Sequence, residues 1–508
     1  MDLTQFEHTS VSRKIKSKYL DESHLTAKDK ELVIHEFEAL INRLRKLDFT
    51  YKNVNLVDVV KHRLMGYDIN LATAVKVATL EKSSFSKKFF LALYKLRSFW
   101  YYNVLHSKQK RDEHEVNLLD APARAEIKVK GTKKVAFIIS DPSYFKTVYM
   151  VMQGVNEKKQ PFLIILPEKS KSWGVLEKLN QLEMAEIVFI EQFYDTQLKQ
   201  QLKNSLKGYS KKFVQNKKAL RKAFRVKNQN LYASASPVLE TVFTRYLAQI
   251  EGFMRIAEKI LEAYNVEVLV AAKLRRYIEN SFFYAAREKG VQTISILPIL
   301  VTSDLTGYYD QGDFEVPHHL VVWDTQQKEI VEMQLRNAQH KPKIYVYGNP
   351  QWDNVTGFNT KVDVRKKLGM KPKEKYLVIA SQGVCPLQCV QDVVDVGHKL
   401  GIRVVLKPHP REIVDRYKVL KDIIFVTDKE VELYALLKDA EIVFTSWSLV
   451  GFEALLLKTP AILYFSYSLE DPSVKEVIKR YQSIGVPVLH TKKELDKVVS
   501  SYLQHTKE

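Results

Sequence analysis

A lysine and a histidine follow a short apolar run in the stretch RVVLKPHPRE, Arg403 to Glu412. The apolar residues predict a buried strand, and the two prolines prevent that strand from continuing. In open α/β sheets, ligands bind at the carboxyl ends of the strands. Lys407 would bring a fixed positive charge there, and His409 could bind or protonate a phosphate near neutral pH. The stretch therefore predicts a phosphate site.

Polar residues also follow two other predicted strands. Ser381 and Gln382 come after the run YLVIA. Ser446 and Ser448 come after IVFT, just before an apolar helix. The first turn of a helix offers N–H groups and a positive dipole end, so these serines predict phosphate contacts. Capping of the helix by one of them is the alternative. Glu453, one turn further, could bind ribose hydroxyls or pair with a buried cation.

Signatures of several other chemistries are missing from the sequence. No Gly-x-Gly-x-x-Gly follows the first predicted strand, and no Gly-x-x-x-x-Gly-Lys-[Ser/Thr] run occurs. These absences argue against a dinucleotide cofactor and against P-loop ATP hydrolysis. Without an Asp-x-Asp or a His/Cys cluster, we expect neither a cofactor nor a catalytic metal. Cys385 and Cys389 are too few for a structural zinc site, and we predict small buried side chains there.

The elements that would position these residues alternate in a regular way. Seven short apolar runs from about residue 133, and six more after residue 352, are separated by helical patterns. Such runs predict parallel strands buried on both faces, hence an α/β fold with two Rossmann-like doubly wound domains facing a cleft. We predict a helical N-terminal module over 1–130, a first domain over 131–352 with a basic helical insertion over 193–264, and a second domain over 353–508.

Positive charge is concentrated in one segment. The formal net charge is +20, and eleven Lys or Arg with no acid lie between Lys199 and Lys227. Apolar residues within that segment are spaced loosely as in a helix, which predicts a basic amphipathic helix or hairpin on the surface. The charge indicates an anionic partner, namely nucleic acid, anionic lipid or a phosphorylated substrate. A solvated face without any partner is the alternative.

Two observations bear on location. No apolar run approaches the about 18 residues that span a bilayer, and the first 20 residues lack the apolar core of a secretory signal. We therefore expect a cytoplasmic protein. Segment 87–105 mixes aromatic with basic residues. It suits a membrane interface or a lipid-linked acceptor, and packing against the next domain explains it equally well.

The second half of the chain resembles the GT-B glycosyltransferases that build bacterial surface polysaccharides in the cell envelope and capsule. The nearest group holds sialyl- and polysialyltransferases, Kdo transferases and the CDP-glycerol polymerases of teichoic acid. KIYVYGNPQWDNV, with Gly348 and Asn349, resembles the Gly-Asn-Pro-x-x-Asp hinge of that group and of the related UDP-N-acetylglucosamine 2-epimerases. The further acidic and histidine residues of the epimerases have no counterpart here, which argues against an epimerase. LKPHP resembles the His-Pro motif of the sialyltransferases, and TSWSLVGFEALLLKTPAI resembles their serine motif. The resemblance covers roughly residues 265 to 500.

This resemblance implies an inverting sugar transfer without a metal. His409 would bind or protonate the donor phosphate, Ser446 and Ser448 would hold it, and Glu453 would bind the ribose. The acceptor would bind the N-terminal α/β domain, which supplies a carboxylate base in the sialyltransferases. Their acidic-acidic-glycine motif has no counterpart here, so Asp141, with Asp304 and Asp310 behind it, is a prediction from position alone.

The predicted function is transfer of a sugar from a nucleotide donor to a surface-polysaccharide or lipid-linked acceptor. A CMP-linked acidic sugar is the first choice, and CDP and UDP donors stay open. The anionic inner face of the membrane is a further candidate partner, and no nucleic acid is expected. One alternative is a CDP-polyol phosphotransferase of the teichoic-acid type. Others are a basic nucleic-acid-binding protein and a scaffold without catalysis.

Overall fold

The computed structural model describes most of the chain. The described residues are 26–65, 71–80, 117–125, 131–272, 277–298, 301, 314, 316–336, 338, 340–360, 362–381, 387–409, 414–427, 430–446, 448–465 and 472–505. The chain divides into two compact units, Met1–Pro350 and Gln351–Glu508, called unit 1 and unit 2. The aromatic and basic segment 87–105 lies outside the described residues. Within them, no helix is long and apolar enough to cross a lipid bilayer.

The N-terminal part of unit 1 contains helices and one small hairpin. Helix α1 (Ala27–Arg45) begins at a capping box, in which the Asp29 N–H donates to Thr26 Oγ1 and the Asp29 carboxylate accepts the Thr26 N–H. Strands β1 (Thr50–Tyr51) and β2 (Val54–Asn55) follow as an antiparallel pair, before α2 (Leu56–Met65) and α3 (Leu71–Leu80). The apolar pattern did not indicate this hairpin, because strands of two residues carry no measurable periodicity.

The described residues of unit 1 form nine further strands. They are β3 (Val135–Ile138), β4 (Phe162–Leu166), β5 (Ala185–Phe189), β6 (Arg225–Val226), β7 (Gln229–Asn230), β8 (Val268–Ala272), β9 (Gln292–Ile296), β10 (His319–Val322) and β11 (Lys343–Val346). All but the β6–β7 hairpin form one parallel sheet in the order β11-β10-β9-β8-β3-β4-β5. The strand order reverses between β3 and β8, so their carboxyl ends border a switch point.

Helices cover both faces of the unit 1 sheet. They are α4 (Phe145–Glu157), α5 (Leu176–Leu179), α6 (Thr196–Gln215), α7 (Lys217–Ala223), α8 (Tyr232–Thr241), α9 (Leu247–Ala263), α10 (Tyr277–Glu288) and α11 (Thr325–Gln334). A π-helical turn over Val242–Tyr246 joins α8 to α9. Helices α4 and α5 pack on one face, and α6 to α10 pack on the other. Helices α1 to α3 share this second core, so the described N-terminal helices and the helical insertion pack as one layer.

Unit 2 is a second doubly wound sheet. Its strands are β12 (Tyr376–Ala380), β13 (Arg403–Lys407), β14 (Ile423–Phe425), β15 (Ile442–Thr445), β16 (Ala461–Tyr464) and β17 (Val488–Leu489), all parallel, in the order β14-β13-β12-β15-β16-β17. Its helices are α12 (Pro350–Thr356), which begins at the unit boundary, α13 (Val364–Lys367), α14 (Leu387–Leu400), α15 (Leu433–Lys438), α16 (Val450–Leu456), α17 (Pro472–Ser483) and α18 (Lys492–His505). Helices α14 and α18 cover one face of the sheet, and α12, α13, α15 and α16 cover the other.

The predicted fold class is confirmed. Each of the thirteen apolar runs predicted as strands forms one, seven in the unit 1 sheet and six in the unit 2 sheet. The strand pairs within both sheets are parallel, and the central strands are buried on both faces, as expected when helices cover both sides. Cys389 is buried in the core of unit 2 as a free thiol, and Cys385 lies outside the described residues.

Candidate active site

The carboxyl edge of the unit 2 sheet brings three of the predicted site residues into one row. Ala380, the last residue of β12, pairs with Lys407, the last residue of β13. The Ser381 N–H donates to the Lys407 carbonyl at 3.2 Å. Strand β15 pairs with the other side of β12, so Ser446 lies just beyond the same edge. Ser381, Lys407 and Ser446 are each more than nine-tenths buried.

This row borders the switch point of unit 2. The chain proceeds from β12 outward to β13 and β14, returns to β15 beside β12, and continues outward to β16 and β17. In open parallel sheets the crevice outside the carboxyl ends at this point binds ligands. Two buried serines and a buried lysine at that place suit a small anionic group.

The positive charge of Lys407 acts on the neighbouring loop. Hydrogen bonds from the Thr427 N–H and hydroxyl hold the pKa of Glu430 below its ordinary value, and the charge on Lys407 contributes in the same direction. Because Lys407 is 6% exposed, its charge is poorly hydrated. A cation in this state interacts more strongly with a phosphate than a surface lysine would.

His409 lies two residues beyond β13, after Pro408, and is exposed. Its imidazole is therefore accessible from the solvent. Gln382, which follows Ser381 and is also a predicted residue of this edge, lies outside the described residues. The structure therefore positions Lys407 at the edge of the sheet and His409 on its solvent side.

Ser448 lies just before Leu449, the N-cap residue of helix α16. Its hydroxyl accepts the Val450 N–H at 3.3 Å, and its carbonyl accepts the Gly451 N–H at 3.3 Å. The Phe452 N–H donates to the Tyr481 hydroxyl at 3.1 Å, and the Glu453 N–H donates within the helix. The amides of residues 450 to 453 are thus bonded inside unit 2. Phosphate binding here would depend on serine hydroxyls, and less on the helix terminus that the sequence suggested.

Tyr481 is a residue of this site that the sequence did not indicate. It lies on α17, and its hydroxyl accepts from Phe452 and donates to the Ser448 carbonyl. Burial raises the pKa of Tyr481 well above its ordinary value, so the hydroxyl keeps its proton. Its ring stacks on Phe452 with centroids 4.0 Å apart. A β-carbon on Gly451 would lie 2.6 Å from the Tyr481 oxygen, so this contact requires glycine.

Two further polar residues lie in α16 and at the end of the strand before it. Glu453 is 8% exposed, and its Oε1 accepts a hydrogen bond from the Tyr434 hydroxyl at 3.4 Å. Burial and then the Glu453 charge raise the pKa of Tyr434 above its ordinary value. Thr445, the last residue of β15, has a buried hydroxyl that bonds to none of the described residues. A ligand at this edge could supply that hydrogen bond.

Gly348 and Asn349 lie at the end of unit 1. Gly348 has a φ of +81°, a left-handed conformation that favours glycine, and it turns the chain from β11 toward α12. Asn349 is 4% exposed. The local role of the Gly-Asn-Pro segment is therefore a tight turn, and a donor contact by these two residues stays a prediction.

The carboxyl edge of the unit 1 sheet holds a buried carboxylate that the sequence did not indicate. Glu279, in the first turn of α10, is 2% exposed. Its Oε1 accepts both the N–H of Ser140, at 3.1 Å, and the Ser140 hydroxyl. Ser140 lies two residues beyond β3, and α10 follows β8, so the contact spans the switch point of unit 1.

Asp141, the predicted base, is the residue after Ser140 and is 6% exposed. Asp304 and Asp310 lie outside the described residues. Asn280, next to Glu279, is 1% exposed, and its side-chain amide bonds to no described residue. Asp141, Glu279 and Asn280 thus lie near the switch point of unit 1, where open parallel sheets bind ligands.

Replacing Glu279 with alanine should lower the thermal midpoint of the full chain by several degrees. The Ser140 N–H would lose its acceptor in a buried place, which costs about 1–3 kcal/mol. Glu279→Gln keeps an acceptor oxygen and should cost less. Glu288→Ala, on the same helix at an exposed position, is the matched control for differential scanning fluorimetry. Equal midpoints for Glu279→Ala and Glu288→Ala would show that Glu279 does not hold this turn.

In the described part of the chain, no group of three or more His, Cys, Asp or Glu side chains is arranged to hold a metal ion. No protein-family model matches the sequence, and no curated protein matches it.

Solved structures are similar to the chain in fold. UDP-GlcNAc 2-epimerase from Neisseria meningitidis bound to UDP-GlcNAc is 10% identical, with 74% of this chain and 92% of that one covered and a TM-score of 0.50. UDP-GlcNAc 2-epimerase from Methanocaldococcus jannaschii is 14% identical, with 73% of this chain and 92% of that one covered and a TM-score of 0.48. MurG from Acinetobacter baumannii is 9% identical, with 73% of this chain and 91% of that one covered and a TM-score of 0.38. Identities this low concern the fold alone. The chain has the GT-B fold.

Proposed function

We propose that this protein is a metal-independent, inverting glycosyltransferase that moves a sugar from a nucleotide donor to a surface-polysaccharide or lipid-linked acceptor. The observation that supports it best is the buried Lys407 beside Ser381 and Ser446 at the switch point of unit 2. A donor phosphate would accept charge-assisted hydrogen bonds from Lys407 and hydrogen bonds from the serine hydroxyls.

The donor would bind unit 2 through its phosphate. Lys407, Ser446 and Ser448 would hold the phosphate, and His409 would bind or protonate it as it leaves. Glu453 would accept hydrogen bonds from the ribose. The remaining candidate donor contacts are Ser381, Gln382, Gly348 and Asn349.

A CMP-linked acidic sugar is the first choice of donor, because Lys-Pro-His-Pro resembles the sialyltransferase motif. CDP- and UDP-linked donors belong in the same test, since the Neisseria meningitidis enzyme of this fold was solved with UDP-GlcNAc.

The reaction would be a single displacement at the anomeric carbon. Asp141 would take the proton of the acceptor hydroxyl while that oxygen bonds to the sugar. The bond from the sugar to the donor phosphate would break, and its electron pair would leave with the nucleotide. Lys407 and His409 would stabilise the charge that develops on the phosphate. A lipid-linked acceptor would bring this reaction to a membrane surface, so we propose a peripheral position there.

The enzymatic alternative is a CDP-polyol phosphotransferase of the teichoic-acid type. It would use the same phosphate site, but the phosphate would pass to the product with the polyol. Product analysis separates the two, because only this reaction transfers phosphorus to the acceptor. A nucleic-acid-binding protein or a scaffold would bind no nucleotide through Lys407 and His409.

Nucleotide binding tests the proposal first. In a thermal-shift panel of CMP, CDP, UDP, GDP and ADP, we expect one pyrimidine nucleotide to raise the thermal midpoint of unfolding. A ligand that binds only the folded state stabilises that state. The shift should shrink or vanish in His409→Ala. His398→Ala is the matched control, because His398 is also an exposed histidine of unit 2 but lies on α14. No shift from any nucleotide, or equal losses in both variants, would contradict a donor site at this edge.

A further inference from the structure

Helices α6 and α7 carry cations that no other described residue neutralises. Their exposed side and the hairpin after them form what we call the basic surface. Its residues are Lys203, Lys207, Lys211, Lys217, Lys218, Lys222 and Arg225, all exposed. None of them forms an ion pair with a described residue. Lys212 and Lys227, at the margin, pair instead with Asp48 at 3.2 Å and Glu36 at 3.1 Å.

The lysines of α6 lie on one side of the helix. Lys203, Lys207 and Lys211 are four residues apart, and at 100° per residue they fall, with Val214, within an arc of about 80°. Val214 is 69% exposed, so an apolar side chain lies among the cations. The opposite side of α6 is buried in the core of unit 1, through Leu198, Leu202, Tyr209 and Phe213.

The composition of this surface favours a bilayer over a nucleic acid. The aromatic residues within 199–227 are Tyr209, Phe213 and Phe224, and all three are buried. None of them can stack on a base, as proteins that bind single-stranded nucleic acids require. A basic helix that lies flat, with lysines around an exposed apolar residue, fits the headgroup region of anionic lipids.

We propose that the basic surface docks unit 1 on the anionic headgroups of a lipid bilayer. Several lysines would contact separate headgroups at once, and Val214 would enter the interface between them. The inference deepens the proposed function by naming the surface that would bring the enzyme to a lipid-linked acceptor. Docking itself requires neither nucleotide nor acceptor.

Vesicle co-sedimentation of the full chain tests it without nucleotide. The wild type should bind phosphatidylcholine vesicles that contain about a third phosphatidylglycerol, and not phosphatidylcholine alone, with affinity falling as NaCl rises. K203Q/K207Q/K211Q should weaken this binding at least about tenfold. The matched control is K158Q/K159Q/K178Q, which removes the same charge from exposed positions at α4 and α5, on the other side of the unit 1 sheet.

Three results would overturn the proposal. The first is no binding of the wild type to the phosphatidylglycerol vesicles. The second is an equal loss in the two triple variants, which would assign the effect to net charge. The third is tight binding of a mixed-sequence RNA that the first triple variant abolishes, with vesicle binding unchanged. A failed nucleotide panel leaves all three readouts intact, so the two proposals fail separately.

Discussion

Replacing Lys407 with methionine should lower the affinity for the donor nucleotide about 100-fold and leave the protein folded. Methionine keeps most of the apolar length of lysine but removes the charge that would meet the phosphate. Lys407 is 6% exposed, so water cannot replace the lost contact easily.

Isothermal titration with the nucleotide that the panel identifies measures this effect. Lys375→Met is the matched control, because Lys375 precedes β12 at the opposite, amino-terminal edge of the same sheet and pairs with Glu441 at 3.0 Å. Its affinity for nucleotide should match that of the wild type. If Lys407→Met has a lower thermal midpoint but unchanged nucleotide affinity, the Lys407 charge stabilises the loop of Glu430 and does not bind a ligand.

The strands of the two sheets could be predicted from the sequence because they are buried on both faces. Runs such as FLIIL and YLVIA have no polar residue, and between helical patterns they leave few other assignments. The two antiparallel hairpins were not predicted. Their strands are two residues long, and their conformation depends on turns with Lys52 and Lys227 at positive φ. Lysine gives no local signal for such a turn.

The candidate site was only partly predictable, for a different reason. Ser381 and Ser446 each follow a strand directly and Lys407 ends one, so the parallel order of the sheet is enough to bring them together. Glu279 is 139 residues from Ser140 in the sequence, and Tyr481 is 33 residues from Ser448. These contacts depend on how helices pack over the sheet. No spacing within the chain could indicate them.

The first turn of α16 shows how tertiary structure changes the meaning of a motif. A serine-rich strand end before a helix predicts free N–H groups for an anion. In unit 2 the hydroxyl of Tyr481 already accepts one of those N–H groups, and Ser448 accepts two more. The groups left to bind a phosphate here are hydroxyl groups and the charge of Lys407. We therefore expect substitutions of those side chains to change nucleotide affinity most.

Gly451→Ala should lower the stability of unit 2 by about 2–3 kcal/mol, although alanine usually stabilises a helix over glycine by about 1 kcal/mol. The added β-carbon would lie 2.6 Å from the Tyr481 oxygen and 3.0 Å from its ring, and Tyr481 is completely buried. Tyr481 would have to leave the first turn of α16, which would expose the Phe452 N–H and release the Ser448 carbonyl. Because Ser448 precedes α16, nucleotide affinity should fall as well.

A double-mutant cycle with Tyr481→Phe isolates this contact. Tyr481→Phe alone should cost about 1–3 kcal/mol, because a buried N–H loses its acceptor. The double variant should cost less than the sum of the two, since removing the oxygen relieves the closest contact with Ala at position 451. Hydrogen exchange of peptides from α16 and α17 measures the cost within the full chain, and peptides from β3 and β8 of unit 1 serve as internal reference. Gly357→Ala is the control, because its β-carbon would meet only the Asp353 carbonyl, at 3.8 Å. If the stability costs of the two single variants simply add, Gly451 and Tyr481 act independently. The contact of a β-carbon with Tyr481 would then not be the reason that position 451 requires glycine.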